Sequence, residues 1–255
     1  VSKVMPFSSN INDDPEALWD YMDDYQQQQQ GQVLAIPHNG NLSNGLMFNG
    51  KTFDGKPLDE RSAARRARME PLYEVTQIKG DGEAHPLLSP NDEFADYETW
   101  DRGNFAGIEK TPEMLPAEYA RSALKIGISL GSTLGTNPYK FGMIGSTDSH
   151  TALSTTAEDN FYGKHSAGME PGPNRVKGIV GKAGDKVVYS WEQAASGYTA
   201  VWSTENTREG IWDAMNRKEV YATTGSRISL RFFGGWAFTS ADAVKTNLAH
   251  VGYKK

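Results

Sequence analysis

FGMIGSTDSH, residues 141–150, decides how the rest of the chain is read: a short apolar strand that delivers Asp148 and His150 at its C-terminal tip. Side chains two positions apart on an extended segment face the same way. A carboxylate oxygen and an imidazole nitrogen can then meet one ion, a mixed donor pair suited to zinc, manganese or iron. The competing reading is an Asx-type turn followed by a surface histidine.

QVLAIPHN, residues 32–39, repeats the grammar: an apolar β-prone run, then His38, then the turn-forming GNLSNG of residues 40–45. In α/β proteins with parallel strands, reactive groups gather at the carboxyl ends of strands. Two such strands would carry His38, Asp148 and His150 to one rim, and three is the number of protein ligands a catalytic zinc usually takes.

Outward from these two segments, helical and strand-like stretches alternate. A helix is expected from Asp13/Asp14, with Pro15 in its first turn, into the glutamine tract 26–30. A strand over 32–37 follows, then an Ala/Arg helix over 58–70 and a strand over 72–78. Residues 80–102 form a long segment rich in Asp, Glu, Pro and Asn, of a length that in compact domains marks function or disorder. A helix over 116–134 leads into the 141–150 strand, and a polar loop spans 151–178. The last third predicts a strand over 198–203, a helix over 207–218 and a strand-turn over 220–225. This order argues for an α/β architecture with a parallel sheet or barrel.

The chain has 255 residues, enough for one large domain with a proper core or two small ones. Its net charge is −6, and no Lys/Arg stripe is interleaved with aromatics, so duplex nucleic acid is not expected as a partner. The one basic run, RSAARRAR at 61–68, lies in an Ala-rich helical pattern flanked by Asp59, Glu60 and Glu70. It reads as a solvated helix face rather than a phosphate patch. There are no cysteines, which excludes disulfides and thiolate metal sites without naming a compartment. No apolar run approaches the roughly 20 residues that span a bilayer, so a soluble chain without membrane insertion is expected, in bacterial cytoplasm or periplasm. Residues 1–10 lack the features of a signal peptide, and the chain starts on Val1 rather than Met, so any leader would lie upstream.

LAIPHNGN and GMIGSTDSHTALS resemble the last two metal motifs of the PHP superfamily, the polymerase and histidinol phosphatase metallohydrolases, and PLYEV resembles its intervening strand. TQIKGDGEAHP, AVWSTENTREGIWDAMNRKEVYATTGSRI and RFFGGW are similar to a large bacterial PHP-like family known only as a domain of unknown function. The resemblance spans nearly the whole chain. It implies a distorted (β/α) barrel with parallel strands, whose rim at the strand C-termini binds divalent zinc, manganese or iron, one to three ions in the intact protein. The implied activity is metal-dependent hydrolysis of small-molecule esters, phosphoesters first, with Asp148 and His150 catalytic and His38, Asp148 and His150 as metal ligands. Carboxylic ester or amide hydrolysis uses the same kind of site, and a non-catalytic binding domain of the same fold is the alternative.

The family's opening His-x-His, the Asp-His strand after it, a bridging Glu and a further His would fall before residue 1. The chain is therefore read as one internal domain fragment over 1–255, inactive alone, with exposed sheet edges open to self-association. Glu74 either orients a ligand or substrate, or points to solvent. Lys79, Glu83 and His85 follow that strand, where substrate contacts belong. His165, in FYGKHS, either meets a substrate phosphate or is solvated, and Arg227 either pairs with an anionic substrate or makes a structural salt bridge.

Overall fold

The computed structural model describes residues 4–100, 108–151, 172–173, 178–183, 186–193 and 197–255. The chain divides into two compact units, Val1–Gly225 and Ser226–Lys255. His165 lies outside the described residues.

In the first unit the first helix starts at the expected Asp14, while the helices expected from 58 and 116 start at Glu60 and Ala120. Asp14 caps α1 (Pro15–Gln29), its Oδ1 accepting the Glu16 N–H at 2.8 Å. Asp59 caps α2 (Glu60–Met69) on the Ser62 N–H at 2.7 Å. Trp19 and Met22 of α1 pack against Met69. Of the arginines of α2, Arg61 and Arg68 are exposed, as a solvated face requires, while Arg65 and Arg66 are partly buried. Arg65 pairs with Asp20 and Asp23, and Arg68 with Asp23, so the basic run ties α2 to the acidic side of α1. Arg66 is held deeper, between Glu70 at 3.0 Å, the Met47 carbonyl at 2.8 Å and the rings of Phe48 and Tyr139.

β1 (Leu72–Gln77) is the centre of a three-stranded sheet. It pairs antiparallel with the two-residue β2 (Gly80–Asp81) and parallel with β3 (Gly142–Gly145). α3 (Ala120–Leu134) offers its small face, Ala120 and Ala123, to the core formed by Phe48, Tyr73, Val75 and Tyr139. Phe48 meets Tyr73 and Tyr139 edge-on at 5.0 and 5.3 Å, a geometry worth about 0.5–1.5 kcal/mol per pair beyond area burial.

The expected barrel of parallel strands is not what forms. β4 (Ile179–Ala183) pairs antiparallel with β5 (Lys186–Tyr189), and β6 (Tyr198–Val201) antiparallel with β7 (Val220–Thr223). The described strands make sheets of three, two and two strands, with no closed barrel among them. The reason is plain at β6 and β7. α4 (Arg208–Asn216), capped by Thr207, is an excursion inside a hairpin rather than a crossover. Its mouth is closed by Val201 opposite Val220 and by the Trp202 N–H on the Glu219 carbonyl at 2.8 Å. Strand, helix, strand in sequence does not fix strand direction.

The strand expected over 32–37 is a non-ladder segment that nonetheless lies beside β1. The Ala35 N–H donates to Met69 O at 2.9 Å, and the Glu74 N–H to Pro37 O at 3.0 Å. Pro37 has no N–H to continue the pairing. The tip of β3 packs closely on β6: a Cβ on Gly145 would stand 3.0 Å from Thr76 Cγ2 and from Tyr198 N and O. Thr199 Oγ1 donates to the Gly145 carbonyl at 2.7 Å across the same approach.

The second unit holds α5 (Leu248–Lys254), capped by Asn247 on the His250 N–H at 3.1 Å. Asp242 accepts from Lys245 at 2.9 Å and Lys255 at 2.7 Å, which hold its carboxyl well below the usual range. Trp191 and Trp236 are both exposed. No described helix is long and apolar enough to cross a membrane.

Candidate functional site

The C-terminal ends of β1 and β3 and the loop after residue 37 build one polar site. The hydrogen bond from Glu74 to Pro37 sets His38 beside β1. The chain then turns through Asn39, which is left-handed at φ 57°, into the buried residues Gly40, Asn41 and Leu42. Asn39 and Asn41 grip the end of β1. Gln77 donates to Asn39 Oδ1 at 2.7 Å, and Asn41 donates to the Lys79 carbonyl at 3.0 Å. The Lys79 N–H in turn donates to Gln77 Oε1 at 2.7 Å. The backbone of Lys79 is thereby held at both its N–H and its C=O.

From β3, the Ser146 N–H donates to the Thr76 carbonyl at 3.0 Å, and its hydroxyl donates to Glu74 Oε2 at 2.5 Å. Glu74 Oε1 is buried and has no hydrogen-bond partner among the described residues. Burial pushes the Glu74 carboxyl up from its ordinary value. The Ser146 hydroxyl, His38 and Lys79 pull it down, and Asp148 pushes it up. His38, Glu74, Lys79 and Asp148 therefore share one electrostatic neighbourhood.

Asp148 and His150 do meet, but not as alternate residues of a strand. β3 stops at Gly145, and Asp148 is left-handed at φ 47°, so a turn brings them together. The Ser149 N–H donates to Thr147 Oγ1 at 3.2 Å within it. His150 Nε2 lies 3.6 Å from Asp148 Oδ1, while Asp148 Oδ2 carries the Lys79 ammonium. Lys79 and Asp148 keep only 8% and 17% of their side-chain surface exposed, against 52% for His150.

The structure brings together His38, Glu74, Lys79, Asp148 and His150 from the sequence-expected set. It uses Glu83 and His85 differently. Glu83 Oε1 accepts from Arg121 at 2.9 and 3.0 Å. His85 is buried against the Tyr119 ring at 5.2 Å, with Nδ1 accepting the Leu87 N–H at 3.1 Å. Arg227 is an exposed residue of the second unit. Sequence reasoning missed Asn39, Asn41, Gln77 and Ser146. The asparagine-rich turn signalled Asn39 and Asn41 only as loop-formers.

Among the described residues, no three His, Asp or Glu side chains converge at metal-holding distance. The chemistry of the set still suits a divalent cation. The set includes two imidazoles and two carboxylates, and the buried Glu74 Oε1 offers lone pairs that no described donor takes up.

Carboxylates, imidazoles and a buried ammonium lie near the end of a parallel strand pair in a mixed α/β protein. The family model described as Protein of unknown function (DUF3604) matches residues 1–255, and the chain belongs to that family. No curated protein and no solved structure matches it.

Proposed function

We propose that this chain carries the site of a metal-dependent hydrolase of the PHP type, acting on phosphoesters. The observation that supports the reading best is the buried, unpartnered Oε1 of Glu74, whose carboxyl feels His38 and Asp148, with His150 beside Asp148. His38, Asp148 and His150 would hold zinc, manganese or iron, with Glu74 in the electrostatic reach of His38 and Asp148. A bound divalent ion supplies a water whose pKa falls toward about 7 and countercharge for the phosphoryl oxygens. The chain's own part is positioning. Ser146 orients Glu74 through Oε2 and leaves Oε1 buried without a partner, while the turn at Asp148 sets its carboxylate next to His150. Glu74 takes up a proton readily because burial disfavours its charge.

A second reading, a binding domain without hydrolysis, is favoured by the lack of three converging ligands among the described residues. Elemental analysis of the purified chain separates the two, with a phosphodiesterase screen on bis(p-nitrophenyl) phosphate and His150→Ala as control. Bound zinc, manganese or iron with turnover, both lost in the variant, is the expected result. Metal without turnover moves the account to the binding domain, and no metal above the variant's level overturns the ligand assignment.

A further inference from the structure

A cavity of about 550 Å³ is lined by α1, α2 and the chain from 43 to 58. None of its lining residues belongs to the site described above, and its size falls among small-molecule pockets, roughly 300–1,000 Å³. Trp19, Leu46, Met47, Phe53 and Leu58 make most of the lining apolar. The wall carrying Phe53 is built in advance. Lys51 pairs with Pro57, the Thr52 N–H donates to the Lys56 carbonyl at 2.8 Å, and the Leu58 N–H donates to the Gly50 carbonyl at 3.0 Å. The Gly50 N–H donates to the Tyr139 hydroxyl at 3.0 Å and the Gly45 N–H to Glu118 Oε1 at 3.1 Å, which ties both ends of the wall to the core. Leu46 and Phe53 nevertheless stand exposed, as apolar surface at a binding site does.

The charges of the lining choose the occupant. Arg66 and Glu70 cancel each other at 3.0 Å, and the Trp19 indole N–H donates to the other Glu70 oxygen at 3.1 Å. That leaves Asp13 and Glu16 against Lys51, two carboxylates against one ammonium. Lys51 is exposed to water, which weakens its pull on an anion, whereas Glu16 is half-buried. The Glu16 carboxylate has no hydrogen bond or ion pair among the described residues. Burial raises its carboxyl above the ordinary value; Asp14, Asp54 and Asp59 add to the rise, and Arg65, itself held by Asp20 and Asp23, opposes it. A positive charge beside Glu16 offsets both the burial and the repulsion. We infer that this cavity is a second binding site, for a small molecule with an apolar ring body and a protonated amine, the ring lying against Leu46 and Phe53 and the ammonium pairing with Glu16.

Three probes of one shape and different charge test this by isothermal titration calorimetry of the 255-residue chain: tryptamine, a cation; tryptophol, neutral; and indole-3-propionate, an anion. Tryptamine should bind about tenfold more tightly than tryptophol, because a charge-assisted contact to a carboxylate outweighs a neutral one, and indole-3-propionate should bind most weakly. Glu16→Gln keeps the shape of the side chain and the backbone N–H that Asp14 caps, and should bring tryptamine down to the level of tryptophol. Phe53→Ala should weaken all three probes by about threefold or more, since it removes ring contact without touching a charge.

No binding of any probe refutes the site. Equal affinity for tryptamine and tryptophol overturns the amine class, and tightest binding of indole-3-propionate gives the cavity to an anion on Lys51, which overturns it as well. Binding that Phe53→Ala leaves unchanged lies elsewhere on the chain and refutes the assignment to this cavity. Self-association in analytical ultracentrifugation that Leu46→Glu abolishes, with no heat from tryptamine, gives the exposed wall to a second copy of the chain and also overturns the inference. Should Glu16→Gln fail to fold by circular dichroism, the ranking of the three probes on the unmodified chain and the Phe53→Ala result decide: tryptamine first and weakened by Phe53→Ala supports the site, and any other ranking refutes it.

Discussion

Replacing Asp81 by asparagine should make the protein more stable at alkaline pH and leave it nearly unchanged in acid. Asp81 closes β2, and its Oδ2 accepts the N–H groups of Glu83 at 3.0 Å and Ala84 at 3.2 Å. Burial pushes its carboxyl from 3.8 up to about 7, and the charges of Glu83 and Glu98 add to the rise, against the two N–H bonds. The folded chain thus holds this proton between about pH 4 and 7 while the unfolded chain has released it. Stability from this group is complete below about pH 4 and is lost as pH climbs through about 7. A rise from 3.8 to about 7 corresponds to roughly 4 kcal/mol, and relaxation around the buried charge brings the working figure to about 2–4 kcal/mol. Asparagine keeps a carbonyl oxygen for both N–H groups and carries no charge to bury. Urea unfolding of both proteins across about pH 4–8 is the assay. The unfolding free energies should coincide near pH 4 and diverge by about 2–4 kcal/mol in favour of Asp81→Asn near pH 8. Parallel pH profiles would refute the assignment of a buried, protonated Asp81.

Arg66→Ala should cost about 2–4 kcal/mol in urea unfolding, because it leaves Glu70, the Met47 carbonyl and the faces of Phe48 and Tyr139 without their partner. Gly145→Ala should lower stability by about 1–3 kcal/mol, since the new methyl meets the Tyr198 backbone, which cannot rotate away; circular dichroism melts check it. Asp14→Ala removes the α1 cap and should cost about 1 kcal/mol by the same measurement. Glu74→Gln should raise stability near pH 8, where the native carboxylate is charged against its burial, while weakening manganese binding in calorimetry. That opposite movement of stability and binding is the signature of a site residue.

What the sequence made legible was local. Asp14 and Thr207 stand at the expected helix starts because a cap bonds its own next turn, and the cap at Asp59 emerged only in the structure. The buried run LYEVTQ is a strand between β-type neighbours, as its composition requires. Strand direction was not legible, since β6 and β7 flank a helix just as parallel strands do, and only the pairing of Val201 with Val220 reveals the hairpin. The extended reading of residues 146–150 failed because Asp148 tolerates a left-handed backbone, one of the few residue types that does so readily. The grip of Asn39, Asn41 and Gln77 on the end of β1 joins residues 38 positions apart. No local pattern encodes it. The arginines of α2 were visible as a charge run, but their partners on α1 follow from the packing of Trp19 and Met22 against Met69.

The central claim is that His150 and its neighbours ligate a divalent ion. X-ray absorption at the zinc edge of the zinc-loaded chain tests it most directly. The account predicts a nitrogen and oxygen shell at about 2.0–2.1 Å with the outer scattering of imidazole, diminished by one ring in His150→Ala. A shell of oxygen alone, with no imidazole signal and no change in the variant, would contradict it.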